Sequence, residues 1–239
     1  MTDKLYWKDM NLREFDARVE SVDGNEIILD RTAFYAAGGG QPCDTGFLKN
    51  EGGQYRVTDV RKAGDDVIHV VESADGLSAG MAVHGIIDWD RRYSHMRYHS
   101  AIHVLDGIVT TRHGDQGLLT GGQIYQDRAR IDLDMQDFSR EVVDKILDEC
   151  NSFIQEGHRI YQEEVPGEEA RKMENLARTL PGRELINSLD TVRLIVIEGL
   201  DMQADGGTHV SNTTEIGKLV LNRIESKGKR NKRVEFHLE

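Results

Sequence analysis

His99 and His103, in the run His-Ser-Ala-Ile-His, stand four residues apart. On an α-helix that spacing puts them one above the other on the same face, where two imidazoles can meet one metal ion. Far downstream, Asp205-Gly-Gly-Thr-His209 offers a carboxylate and an imidazole at the same interval. Four nitrogen and oxygen donors from two segments are the inventory of a tetrahedral zinc site, or of a catalytic one that keeps fewer protein ligands and a water. Zinc with an open position lowers the pKa of its bound water towards about 7, and such a nucleophile reaches an ester carbonyl without a separate strong base. The residue after His99 is Ser100, so the His-Glu-x-x-His pattern of a metallopeptidase, with its glutamate base, is absent. His69, His84, His95, His113, His158 and His237 are assigned structural or surface roles.

The elements around these residues follow from pattern. Arg91 to Thr111 carries apolar residues at helical spacing and stops near Arg112-His113-Gly114, so His99 and His103 fall in mid-helix. Before it, residues 1–88 read as short strands and turns. Glu14 to Glu20 alternates and Asp23-Gly24 signals a hairpin into Glu26–Asp30. Tyr55–Val60, Asp66–Val71 and Val83–Asp88 complete a set that suggests a small β-barrel. Within it, Gly38, Gly39 and Gly40 precede Gln41. No Gly-Lys-Ser/Thr follows, which excludes a P-loop. The cluster is either a tight barrel turn or a loop whose backbone approaches a sugar or phosphate.

Beyond the central helix, Leu118 to Tyr125 reads as a turn leading to strands, and Arg128–Asp134 as a strand. Ser139 caps an amphipathic helix to Gln155, and a charged helix is expected over 167–179. Thr191–Ile197 is a buried strand, Asp205 to His209 a loop, and 217–224 with 233–238 a terminal hairpin. The expected boundary near residue 88 separates an N-terminal barrel, 1–88, from a second domain, 89–239, and the fold class is α+β.

Bulk properties bound the function. The 239 residues carry a net charge of -12, which argues against a general nucleic-acid binder because phosphate neutralisation needs Lys and Arg. A local basic patch, Arg223, Lys227, Lys229, Arg230, Lys232 and Arg233, stands near the end, either as a solvated hairpin or as a phosphate contact. No apolar run approaches a membrane span and no signal sequence opens the chain, so a cytoplasmic protein is expected. Cys43 and Cys150 form no spacing motif, which suits free thiols in a reducing compartment.

Four segments, in order and spanning nearly the whole chain, together carry a resemblance. They are Phe34-Tyr-Ala-Ala-Gly-Gly-Gly-Gln-Pro42, Met96-Arg-Tyr-His-Ser-Ala-Ile-His-Val-Leu105, Asp205-Gly-Gly-Thr-His-Val210 and Ile224-Glu-Ser-Lys-Gly-Lys-Arg230. The chain resembles the AlaX family of alanyl-tRNA editing proteins, in its medium-length form, and the related editing domain of alanyl-tRNA synthetase. The resemblance implies a metal-binding editing domain, an α/β two-layer unit with an antiparallel sheet, after the barrel. It implies a trans-editing hydrolase that deacylates Ser-tRNA(Ala), and in some members Gly-tRNA(Ala), as a second sieve behind the synthetase. The implied Zn2+ ligands are His99, His103, the residue at 205 and His209.

The family's typical second motif is Cys-Gly-Gly-Thr-His, whereas here Asp205 opens it. An aspartate can ligate zinc directly, orient a water or imidazole behind a three-histidine set, or leave the site poorly filled. The favoured reading is a metal on His99, His103 and His209. The resemblance also implies that Thr120, expected in a turn, faces the amino-acid pocket, where its hydroxyl hydrogen-bonds a seryl side chain. Gly38, Gly39, Gly40, Gln41, Lys229 and Arg230 are candidates for substrate or tRNA approach. The expected partner is mischarged tRNA(Ala), with no membrane role; protein partners are not indicated. Two rivals remain: a non-catalytic tRNA-binding module with a degenerate metal site, and a metal-dependent hydrolase of a small ester or amide.

Overall fold

The computed structural model describes residues 1–113, 118–135, 137–173, 176–177, 184, 186–228 and 231–239. The fold is α+β, and the chain divides into two compact units, Met1–His95 and Met96–Glu239.

The first unit is built around a closed six-stranded barrel. A short β1, Asp3–Lys4, precedes β2, Glu14–Asp23, and β3, Glu26–Leu29; β4 is Arg31–Thr32 and pairs in parallel with β1. Then follow β5, Gly46–Asn50; β6, Gly53–Ala63; β7, Asp66–Val71; and β8, Ala82–Ile87. The barrel order is β2-β3-β7-β6-β5-β8, with every neighbouring pair antiparallel. Period-two alternation explains the closure: in β2, Phe15, Ala17 and Val19 point inward while Glu14, Asp16 and Arg18 face out. Phe15, Val19, Ile27, Leu29, Phe34, Leu48, Val57 and Val83 join one apolar core. The first hairpin turns at Gly24-Asn25, with Asp23 paired to Glu26, one residue later than the Asp-Gly signal indicates.

The glycine cluster is a two-residue turn. Gly38 and Gln41 exchange backbone hydrogen bonds of 3.1 and 2.9 Å, and Gly39 and Gly40 take φ of 59° and 84°, values that exclude most side chains. The Tyr35 hydroxyl donates to the Gly38 carbonyl at 2.9 Å, and Gln41 is buried. The following segment contributes Asp44, which pairs with the fully buried Arg92. The same guanidinium donates to the Met10 and Ala33 carbonyls, so the buried charge is satisfied on several sides.

Helix α1, Trp89–Arg112, carries residues of both units. Every residue from Tyr98 to Val109 is buried, so this stretch is enclosed all round rather than amphipathic. In the second unit α1 is followed by β9, Leu118–Ile124, and β10, Ala129–Asp134. Next come α2, Arg140–Glu156; β11, Ile160–Pro166; and α3, Gly167–Ala170. The last strands are β12, Thr191–Ile197; β13, Asp201–Ala204; β14, Leu219–Gly228; and β15, Asn231–Leu238. One antiparallel sheet runs β14-β15-β10-β9 and a second runs β11-β12-β13.

Helix α2 begins as its sequence predicts: the Val142 N–H donates to Ser139 Oγ at 3.2 Å, and Gly157 closes the other end in the left-handed conformation. It packs on β14 through a buried face that includes Val143, Ile146, Leu147 and Phe153. There Asn151 completes two backbone bonds with Leu219.

Two longer segments also differ from their expected form. The helix expected over 167–179 is the single turn α3, closed by tight bonds from Lys172 N–H to Glu169 O and from Met173 N–H to Ala170 O. Residues 174–175 and 178–179 of that expected helix lie outside the described ones. The turn expected at Leu118 to Tyr125 is strand β9, in which the pairing to β10 shifts register between Asp132 and Leu133. Thr120 is the extra residue of that bulge, exposed, with its hydroxyl donating to the Asp132 carbonyl at 3.0 Å. The Gly-Gly pair after it imitates a turn signal, but both glycines pair across the ladder with Asp132 and Ile131.

Candidate metal centre

Helix α1 and the loop after β13 bring four donor groups together within the second unit. His99 and His103 lie a turn apart on α1, with ring centroids 5.0 Å apart. His209 stacks on His99 at 4.3 Å and meets His103 edge-on at 4.7 Å. One ligand atom from each of His99, His103, Asp205 and His209 lies within 4.8 Å of all the others. Asp205 Oδ1 is 3.7 Å from His99 Nε2, and its Oδ2 is 3.1 Å from His209 Nε2.

The loop geometry explains why a short polar motif can carry two donors. Asp205 Oδ2 accepts the Gly207 N–H at 2.6 Å, folding the carboxylate back over its own backbone. The Asp205 N–H donates to the Arg193 carbonyl at 3.2 Å, which carries on from the β12–β13 ladder. Arg193 is buried on β12, and its Nη1 donates to the carbonyls of Asp205 at 2.8 Å and Gly207 at 3.0 Å. Its Nε donates to Gln162 Oε1 at 2.8 Å. Ser100, fully buried on α1, accepts the Val210 N–H at 3.2 Å, and its Oγ lies 3.2 Å from His209 Nδ1.

Electrostatics prepare the group for a cation. Burial pushes His99 down to about 4 against the opposing pull of Asp205. Burial also holds His209 well below the ordinary histidine range, reinforced by the neighbouring His99. Burial opposes ionisation of Asp205, but the interactions with His99, His209 and His103 outweigh it and keep the carboxyl well below 3.8. At neutral pH His99 and His209 are therefore neutral beside the Asp205 carboxylate, whose negative charge a dication compensates. Donors at zinc-like bond lengths stand about 3.4 Å apart in a tetrahedron, and the observed separations, 3.1 and 3.7 Å among them and all within 4.8 Å, lie around that value. The residues fit a metal.

The remaining candidates lie elsewhere in the chain. Thr120 is on the β9 bulge, and Gly38, Gly39, Gly40 and Gln41 form the turn of the first unit. Lys229 and Arg230 lie outside the described residues. Around them, Lys227 faces Glu225 at 3.4 Å, and Arg233 makes a two-pronged pair with Asp132 at 2.7 and 2.8 Å. Among the other histidines, His84 bonds Asp16, His113 lies beside Glu149, and His158 stacks on Phe153.

Two residues that build the centre were not singled out by sequence. Arg193 left a signal, as the one cation inside an apolar strand, Thr191-Val-Arg-Leu-Ile-Val-Ile197. Ser100 left none, because its partners His209 and Val210 are distant in the chain.

Comparison with known proteins supplies the lineage. The family described as tRNA synthetases class II (A) matches residues 7–91, and the threonyl and alanyl tRNA synthetase second additional domain matches residues 192–235. The chain is 40% identical over its full length to the alanyl-tRNA editing protein AlaX-M of Methanosarcina acetivorans, covering 99% of that protein. It is 39% identical to AlaX-M of Saccharolobus solfataricus, over 99% of this chain and 98% of the relative. It is also 38% identical, over 94% of its length, to 24% of the alanine–tRNA ligase of Thermococcus kodakarensis. On identity and coverage of this extent, the chain belongs to the AlaX-M family of alanyl-tRNA editing proteins.

Proposed function

We propose that this protein edits tRNA(Ala) in trans, hydrolysing the ester that joins a wrong amino acid, serine and also glycine, to the tRNA. The observation that carries the reading is the buried group of three imidazoles and one carboxylate, in a chain of an alanyl-tRNA editing family. Its site of action would be the cytoplasm, where charged tRNA is used.

In this reading His99, His103 and His209 hold a zinc ion, with Asp205 beside them as the fourth donor. Zinc bound there supplies Lewis acidity and lowers the pKa of a coordinated water towards about 7. The chain's own residues do the rest. Arg193 ties the donor loop to β12, Ser100 ties it to α1, and the Gly207 N–H fixes one carboxylate oxygen of Asp205. Thr120 spends its hydroxyl proton on the Asp132 carbonyl, so towards a substrate its oxygen is an acceptor. A seryl hydroxyl can donate to it and an alanyl methyl cannot, which favours removal of serine over the correct amino acid. Attack of water on the ester carbonyl then yields free amino acid and a tRNA with its terminal hydroxyl restored. Lys229 and Arg230 would meet acceptor-stem phosphates locally, despite the acidic whole.

The test is a deacylation assay with Ser-, Gly- and Ala-charged tRNA(Ala), on protein purified without chelator and analysed for metal. Hydrolysis of Ser-tRNA(Ala) and zinc close to one per chain are expected, with severe loss in His103→Ala. Thr120→Val should lower the preference for serine over alanine. Binding of tRNA without metal or hydrolysis would establish a binding module instead. Turnover of small esters or amides without tRNA would redirect the reading to a general hydrolase.

A further inference from the structure

The imidazoles of His99 and His209 are held from behind by different chemistry. The ring of His99 hydrogen-bonds the Thr208 backbone, whose carbonyl can only accept. The Nδ1 of His209 faces the Ser100 hydroxyl at 3.2 Å, and a hydroxyl can either accept or donate. On its other side, His209 Nε2 faces Asp205 Oδ2 at 3.1 Å.

These contacts admit one proton arrangement without a metal and another with it. Beside an ionised carboxylate, Nε2 must carry the ring proton, since two facing lone pairs at this separation repel. Nδ1 is then an acceptor and Ser100 donates to it. A cation bound at Nε2 needs the lone pair there, so the ring proton must sit on Nδ1 and Ser100 must accept it. The Val210 N–H donates to the same oxygen throughout and holds it in place.

We propose that Ser100 is a positioning residue of the centre, whose hydroxyl reverses its hydrogen-bond direction as His209 exchanges tautomer on metal binding. The proposal rests on the metal-centre reading above. His209 neither gains nor loses a proton in the exchange: the N–H bond at Nε2 is replaced by one at Nδ1, with solvent relaying the proton. A partner able only to donate would oppose the loaded form, and one able only to accept would oppose the empty form. The hydroxyl satisfies both.

The exchange is read on wild-type protein by 15N NMR of labelled histidine, with His209 assigned by its absence in His209→Asn. Zinc should move the protonated nitrogen of His209 from Nε2 to Nδ1. The same protonated nitrogen before and after zinc overturns the proposal. Zinc affinity, measured by chelator competition, should fall about 10–100-fold in Ser100→Ala and recover in Ser100→Thr, which keeps the hydroxyl. Wild-type affinity in Ser100→Ala overturns the positioning role while leaving the metal centre standing. No zinc binding by the wild type overturns both.

Discussion

A histidine inside an aliphatic barrel must stay neutral and must satisfy both ring nitrogens. His69 does so on β7, an inward position that otherwise takes valine. The Ile27 carbonyl lies 3.2 Å from Nδ1 and can only accept, so the ring proton is there; Thr32 then donates to Nε2 at 2.8 Å. Burial lowers its pKa from 6.5 to about 4. The unfolded chain therefore binds more protons between these values, so this contribution is complete above pH 6.5 and is lost as pH falls towards 4. The shift corresponds to about 3 kcal/mol. Urea unfolding across a pH series should show a shallower loss of stability in His69→Leu than in the wild type; equal slopes would remove the assignment. At this scale the sequence is legible where spacing alone brings groups together, as with His99 and His103. It is silent on Ser100, whose role exists only once residues 209 and 210 fold against it.

Elements decide how far those residues can move. Arg193 ties β12 to the donor loop through two carbonyls and to β11 through Gln162. Arg193→Met keeps the length and removes every donor, so zinc affinity by chelator competition should drop at least about tenfold, within the range for lost support of metal ligands. Arg193→Lys should rescue little, since one ammonium cannot reproduce the planar fork. In the first unit, β5 begins at Gly46, where a methyl group would overlap the Ile86 carbonyl and the Phe34 ring. Gly46→Ala should cost about 1–3 kcal/mol in thermal or urea unfolding, as overpacking does, because a backbone atom cannot step aside. The alternation of β2 and the apolar run of β7 are plain in the sequence. β5 is not, since Gly-Phe-Leu-Lys-Asn is too short to show a period. Thr120 misleads for a related reason: a bulge beside two glycines has the composition of a turn, and only pairing with β10 distinguishes them.

At the scale of the whole molecule, a chain with net charge -12 must reach a polyanion through local patches. Binding of tRNA should therefore depend only modestly on salt. Replacing Lys229 and Arg230 together by Ala should weaken binding and flatten the log–log salt slope by about one to two units, near 0.7–0.9 per lost phosphate contact. An unchanged slope in a filter-binding titration would take the terminal hairpin out of the interface. The donor set has a further consequence. Its ligand atoms are nitrogen and oxygen, and the chain's two thiols are elsewhere, both buried. Burial pushes Cys43 and Cys150 up from the ordinary thiol range, so neither offers the thiolate that peroxides and electrophiles attack. Under the proposed function, proofreading would continue through an oxidative burst that silences a sulfur-ligated centre.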